Sequence, residues 1–150
     1  MKKRFLVCLM VCFMVIGFTT VSNAASRTVV APAKAPKAVG PYSQGIVAGD
    51  MIFTSGQLPL NPETNKMPEG IEAQATQSLE NVKAVVESAG SNLNKVVKVV
   101  IFLKDMNDFS CVNEIYSKYF QTDYPARSCV AVAALPKGAL FEIECIAVKE

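Results

Sequence analysis

The sequence predicts an α+β domain of order ββαβαββ, with two helices on one face of a mixed sheet. Three observations point there. Two windows repeat apolar residues at helical spacing, and five short windows read as strands, of which Val96 to Leu103 is rich in β-branched residues. The last two of these strands are apolar on both sides of the pleat.

The first strands are Tyr42 to Val47 and Met51 to Ser55, joined by the turn Ala48-Gly49-Asp50. Residues 25–38 ahead of them form an extended N-terminal segment, because Pro32 and Pro36 stop helix growth and remove sheet donors. Gly56 to Gly70 carries Pro59, Pro62 and Pro68 and is read as loop. Beyond it Ala75, Leu79, Val82 and Val86 recur every three or four residues, with Gln74, Gln77, Glu80, Lys83 and Glu87 on the other face. This is an amphipathic helix from Ile71, closed by Gly90 at the position that favours a left-handed backbone.

Val96 to Leu103 reads as a strand buried on both faces. A second helix follows, capped by Asn107 or Asp108, with Phe109, Val112, Tyr116 and Tyr119 or Phe120 as its apolar stripe. Pro125 ends it. Arg127 to Ala134 and Leu140 to Val148 are the last strands. Phe141, Ile143, Cys145 and Ala147 point one way, and Glu142, Glu144, Ile146 and Val148 the other. Two helices cover one face of such a sheet, so the other is expected against another subunit.

Composition limits the chemistry. The 150 residues include no histidine, which removes the Ser/His/Asp triad, the Cys/His dyad and nearly every catalytic zinc site. Residues 1–24 have the three-part pattern of a secretory signal peptide. Lys2, Lys3 and Arg4 are basic, Phe5 to Phe18 is apolar, and Ser22 and Ala24 are small residues before the expected cut. The apolar run is short for a membrane span, which needs about 20 residues. The protein is therefore expected to be periplasmic or secreted, with no membrane attachment after cleavage.

The leader holds three of the fifteen basic residues and none of the thirteen acids, so the mature chain carries a net charge of −1. Three cysteines remain, Cys111, Cys129 and Cys145, too few and too odd a number for a disulfide framework. A slightly acidic chain without a basic, aromatic-interleaved stretch is not expected to bind nucleic acid.

Several residues could carry chemistry. Arg127 opens a strand, where its planar fork suits a carboxylate and equally a structural salt bridge. Glu142, on the face away from Phe141, could hold a water and pass a proton, or pair with a cation across an interface. Cys129 shares the Arg127 face and is either a nucleophile without a histidine to activate it or a small buried hydrophobe. Cys145 is expected in the core, Cys111 on a helix. Gly40 to Gly45 places the Tyr42 hydroxyl between two glycines, as in a pocket wall or an ordinary loop.

Seven blocks of sequence together carry a resemblance. They are Gly40-Pro-Tyr-Ser-Gln-Gly45, Thr54-Ser-Gly-Gln-Leu-Pro59, Gln77-Ser-Leu-Glu-Asn-Val82, Phe102-Leu-Lys-Asp-Met-Asn-Asp-Phe109, Pro125-Ala-Arg-Ser-Cys-Val130, Leu135-Pro-Lys137 and Glu142-Ile-Glu144. From about Val39 to Val148 the chain resembles the Rid family of reactive-intermediate deaminases, most closely its RidA (YjgF) subfamily. The resemblance implies a chorismate-mutase-like fold and a homotrimer with clefts between subunits. It implies cofactor-independent and metal-independent hydrolysis of enamines and imines, such as 2-aminoacrylate, to 2-keto acids and ammonia. Carried over position by position, Arg127 would grip the substrate carboxylate and Glu142 would orient water or shuttle its proton. Cys129 and Tyr42 would line the pocket, with Ser55 and Gly56 as its opposite wall. The resemblance also leaves two lesser possibilities, a small-carboxylate-binding protein without turnover and a ribonuclease or translation inhibitor.

Overall fold

The structure, a computed structural model, describes residues 26–150; the leader expected at 1–24 lies outside them. The elements are β1 (Arg27–Val30), β2 (Gly45–Ala48), β3 (Met51–Thr54), α1 (Ile71–Ser88), β4 (Val96–Leu103), α2 (Phe109–Tyr119), β5 (Ala126–Ala131) and β6 (Phe141–Val148). They form one sheet of order β1-β2-β3-β6-β4-β5, antiparallel except for β4 and β5. Two helices lie on one face of this mixed sheet, as the sequence predicts.

The order is βββαβαββ, one strand more than expected. Within the segment 25–38 that was expected to be extended loop, Arg27–Val30 adds to the edge of β2, with Val30 opposite Gly45. Arg27-Thr-Val-Val30 shows no alternation of apolar and polar residues, so only the tertiary partner reveals the strand. The following loop is tied down by the Gln44 amide, which donates to Ala35 O at 3.0 Å and Pro36 O at 2.6 Å.

α1 ends as expected. Gly90 has φ +84°, the Ser91 N–H bonds back to Val86 O at 3.2 Å, and the Gly90 N–H bonds to Glu87 O at 3.1 Å. These two bonds satisfy carbonyls the helix end would leave open. The polar face differs at Gln74, which is buried rather than solvated because its amide spans Pro68 O and the Leu140 N–H. The α2 cap also differs. Asp105 Oδ1 accepts the Asn107 N–H at 2.9 Å and caps a 3-10 turn, Met106–Asp108, that runs into the helix. Asp108 already has helical backbone angles and makes no side-chain cap bond.

β5 stops at Ala131 rather than Ala134. Its ladder partner β4 ends at Leu103, whose carbonyl takes a final bond from Val132 N at 2.9 Å. Beyond that point the strand has no neighbour to pair with.

The core lies between the helices and one sheet face. Leu79, Val82, Val85 and Val86 of α1 and Val112 of α2 meet Ile52, Val99, Ile101, Leu103, Phe141 and Ile143, all essentially inaccessible. The other face is not buried within one chain. Val29, Phe53 and Val130 are 53%, 42% and 44% exposed there, and Val100 and Ile146 are half-buried. β4 is thus covered on one face only, not on both. At one end a smaller cluster of Leu58, Leu60, Leu135 and Ala139 folds over Phe102. The rest is an apolar surface of the kind that marks an interaction site. Among the described residues no helix is long and apolar enough to cross a membrane.

Candidate active site

Arg127 pairs with Val99, and Val99 with Cys145, so its side chain leaves the sheet on the helix-covered face. The crossover from β4 to the parallel β5 runs through α2, whose Asn113 and Tyr116 meet Arg127 here. Arg127 Nη2 donates to Asn113 Oδ1 at 2.8 Å. Its guanidinium carbon lies 4.6 Å from the Tyr116 ring centre and 5.8 Å from that of Phe109. Stacking and one hydrogen bond hold the plane while leaving other N–H donors available, which is the arrangement a bidentate carboxylate clamp requires. The surrounding pocket of about 460 Å³ is lined by Asn113, Tyr116, Ser117, Tyr124, Pro125 and Arg127.

Cys129 lies two residues along β5 on the same face and packs, half-buried, against the core. Burial pushes its thiol above the ordinary 9.0, and the opposing pull of Arg127 is the smaller effect. A thiol raised in this way stays protonated near neutrality and is a poor nucleophile. Of the two readings of Cys129, its packing against the core fits the small buried hydrophobe better than the nucleophile. Cys145 is core, as expected, and Cys111 is half-buried on α2.

Glu142 sits elsewhere. It pairs with Phe102, and Phe102 with Val130, on the open face. Its carboxyl lies directly over Gly56. A Cβ at Gly56 would collide with Glu142 Oε1 and come within 2.8 Å of Cδ. The backbone of Gly56 is not left-handed, so glycine is needed there for space alone. Burial, and secondarily the neighbouring Glu144, push the Glu142 carboxyl above its ordinary 4.5. A carboxyl tuned upward in this way is better matched to proton transfer.

Tyr42 and Ser55 belong to this second group. Tyr42 and Gly56 line one crevice with Gln44, Gln57 and Leu58. The Tyr42 hydroxyl accepts the Val39 N–H at 3.1 Å, while Ser55 Oγ donates to Ser43 O at 2.6 Å and its N–H to Gln44 O at 3.0 Å. Ser55 therefore fastens the wall, with its only hydroxyl proton already committed. Among the described residues no cluster of three or more side chains is arranged to hold a metal ion.

The expected site residues thus fall into two half-sites. Arg127 and Cys129 face the helices; Glu142, Gly56, Ser55 and Tyr42 lie toward the open face and its rim. The sheet separates them within one chain. Asn113 and Tyr116, which hold Arg127, were not singled out as site residues. Their signal was the helical spacing of Phe109, Asn113 and Tyr116, in which an asparagine interrupts an aromatic stripe.

Gly56→Ala tests the second half-site. The added methyl displaces the Glu142 carboxyl, and turnover is expected to fall by roughly 10-fold to 100-fold with little change in KM, a loss typical of misplacing a reacting group by about 1 Å. Steady-state kinetics on the folded variant read this directly; unchanged kcat would remove Glu142 from the site.

The chain is similar to known proteins over most of its length. The family model described as Endoribonuclease L-PSP matches residues 32–149. The 2-iminobutanoate/2-iminopropanoate deaminase of Escherichia coli K12 is 52% identical over 123 residues, 80% of this chain and 96% of that protein. The crystal structure of Escherichia coli TdcF with bound serine superposes with a TM-score of 0.80 at 47% identity, covering 82% of this chain and 99% of that one. The YjgF gene product of the same organism gives 0.79 at 50% identity, with 82% and 99% coverage. With the match running from Pro32 to Lys149 and half of the positions shared, the chain belongs to the Endoribonuclease L-PSP family, the Rid family of RidA and YjgF.

Proposed function

We propose that the protein is a cofactor-independent 2-iminobutanoate/2-iminopropanoate deaminase, hydrolysing 2-imino acids and their enamine tautomers to 2-keto acids and ammonia. The relationship to the Escherichia coli deaminase carries this reading. The residue inventory supports it, since an imine carbon is already electrophilic and needs orientation and a proton path rather than a strong base.

In this reading 2-aminoacrylate tautomerises to 2-iminopropionate, and its carboxylate takes two N–H donors of Arg127. Water adds to the C=N carbon, giving one proton to the Glu142 carboxylate, which passes it to the nitrogen and so completes the carbinolamine. Glu142 then takes the proton of the new hydroxyl and hands it to the amino group as the C–N bond breaks, so that the C=O bond forms and ammonia leaves. The products are pyruvate and ammonia.

Arg127 and Glu142 act on one substrate only if a second copy supplies the other half-site. The exposed Val29, Phe53 and Val130 offer the apolar surface for that association. A homotrimer with clefts between subunits accommodates both demands, and a light-scattering mass three times that of the chain is the expected result. Export is part of the proposal, on the leader pattern of residues 1–24. The substrates would then be small imino acids formed outside the cytosol.

The test is ammonia and pyruvate release from freshly generated 2-aminoacrylate by the chain lacking residues 1–24. Acceleration over the spontaneous reaction is expected. Binding of 2-keto acid without acceleration would overturn the enzyme reading.

A further inference from the structure

The sixteen residues Ser55 to Gly70 between β3 and α1 carry no regular element, yet Gly56 must sit at one depth for Glu142 to lie over it. One end is held by Gln57, whose N–H donates to Ile143 O at 2.8 Å beside Glu142. The next anchor comes from the helix. Asn81 of α1 is fully buried, and its Nδ2 donates to both Leu58 O and Leu60 O at 2.9 Å. Its Oδ1 accepts Gln77 Nε2 at 3.0 Å, which fixes the amide's orientation.

Asparagine is a weak helix former, and burying its amide in a helix interior is unfavourable unless every hydrogen bond is made. Here both N–H groups and the carbonyl oxygen are engaged. Two parallel donors spaced for alternate carbonyls of an extended chain are a device no apolar side chain can copy. Leu58 and Leu60 meanwhile enter the small cluster beneath Phe102, the cross-strand partner of Glu142.

We infer that Asn81 is a positioning residue for the reaction: it sets the depth of the Gly56–Leu60 segment and, through Gly56, the place of the Glu142 carboxyl. This rests on the reading that Glu142 works on water. A purely structural asparagine would lower stability alone. A positioning one also moves the chemistry of Glu142, because a loosened segment lets water reach its carboxyl.

The experiment compares Asn81→Ser with Val86→Ala, a core truncation at the far end of α1, after both are shown by thermal melting to be folded. For Asn81→Ser, kcat is expected to fall roughly tenfold with KM within about twofold, as for a displaced reacting group. The inflection that Glu142 contributes to the pH profile is expected to move down toward the ordinary carboxylate value. Val86→Ala should lose stability and keep both kcat and profile. If the two variants behave alike at equal loss of Tm, Asn81 is structural only and the inference is overturned. Should Asn81→Ser not fold, Gln77→Met removes only the donor that orients Asn81; the same downward movement supports the inference and an unmoved profile refutes it. Glu142→Gln is run alongside. Full turnover in that variant would sink the reading of Glu142 itself, whatever Asn81 does.

Discussion

Arg127→Ala is expected to reduce 2-iminopropionate hydrolysis by roughly 100-fold or more, the scale of losing a bidentate charge-assisted clamp from a reaction that depends on orientation. The fold should survive, because Arg127 lies at the start of an edge strand and its contacts are with α2 side chains. The variant leaves Asn113 Oδ1 without its donor and the Tyr116 ring without its cation, a modest loss to be read by thermal melting. Arg127→Lys should recover little. A lysine keeps the charge but is a single point donor, unable to bond Asn113 and grip both carboxylate oxygens in one plane. Near wild-type turnover in Arg127→Ala would refute the clamp.

Glu142→Gln is the second large effect. The amide matches the carboxyl in size and cannot take a proton, so kcat should fall by about 10²-fold to 10⁴-fold, the usual contribution of a general acid–base group. KM should change little, because the carboxylate clamp is elsewhere. In the wild type, the acid inflection of kcat should lie above 4.5, and it should vanish in the variant. Stability moves the opposite way. Because the folded-state pKa of Glu142 is raised, its ionisation destabilises the folded chain as pH rises through that value. Glu142→Gln should therefore keep or raise Tm at neutral pH while losing turnover, which separates a chemical defect from misfolding.

The placement of the two residues adds a sharper test. If each site takes Arg127 from one subunit and Glu142 from its neighbour, the two inactive variants should complement each other. Random co-assembly of equal amounts in a closed ring leaves roughly one site in four with both residues intact. Recovery to about a quarter of wild-type activity on mixing, denaturing and refolding is expected. No recovery would mean that both residues serve the same subunit, against the strand register that sets them on opposite faces of the sheet.

Both helices and the strands of the core were legible because their signals are local. The spacing of Ala75, Leu79, Val82 and Val86 and the glycine at 90 mark α1 to within two residues. The alternation of Phe141, Ile143, Cys145 and Ala147 against Glu142 and Glu144 identifies the buried face of β6. Misreadings fell where a partner decides the outcome. Arg27–Val30 is a strand because β2 offers an edge, and Gln74 is buried because Pro68 O and the Leu140 N–H are there to meet its amide. The α2 cap falls to Asp105 because a 3-10 turn precedes the helix.

The candidate site divides the same way. Residue types raise Arg127, Cys129, Glu142 and Tyr42 as candidates, and the resemblance of the sequence blocks gives them roles and adds Ser55 and Gly56. Alternation along each strand puts Cys129 with Arg127 and Glu142 away from Phe141, but chain order does not say how the faces of the two strands relate, nor that Asn113 and Tyr116 hold the guanidinium. Those facts follow from the parallel pairing of β4 with β5 and the antiparallel pairing of β4 with β6, which are contacts between segments far apart in the chain. The sequence by itself thus determined the α+β class, through local periodicity, and the family, through its blocks of residues, and it named candidate site residues. Only the tertiary structure decided that Arg127 and Glu142 lie on opposite faces of one sheet, because the register between strands exists only when the sheet is assembled.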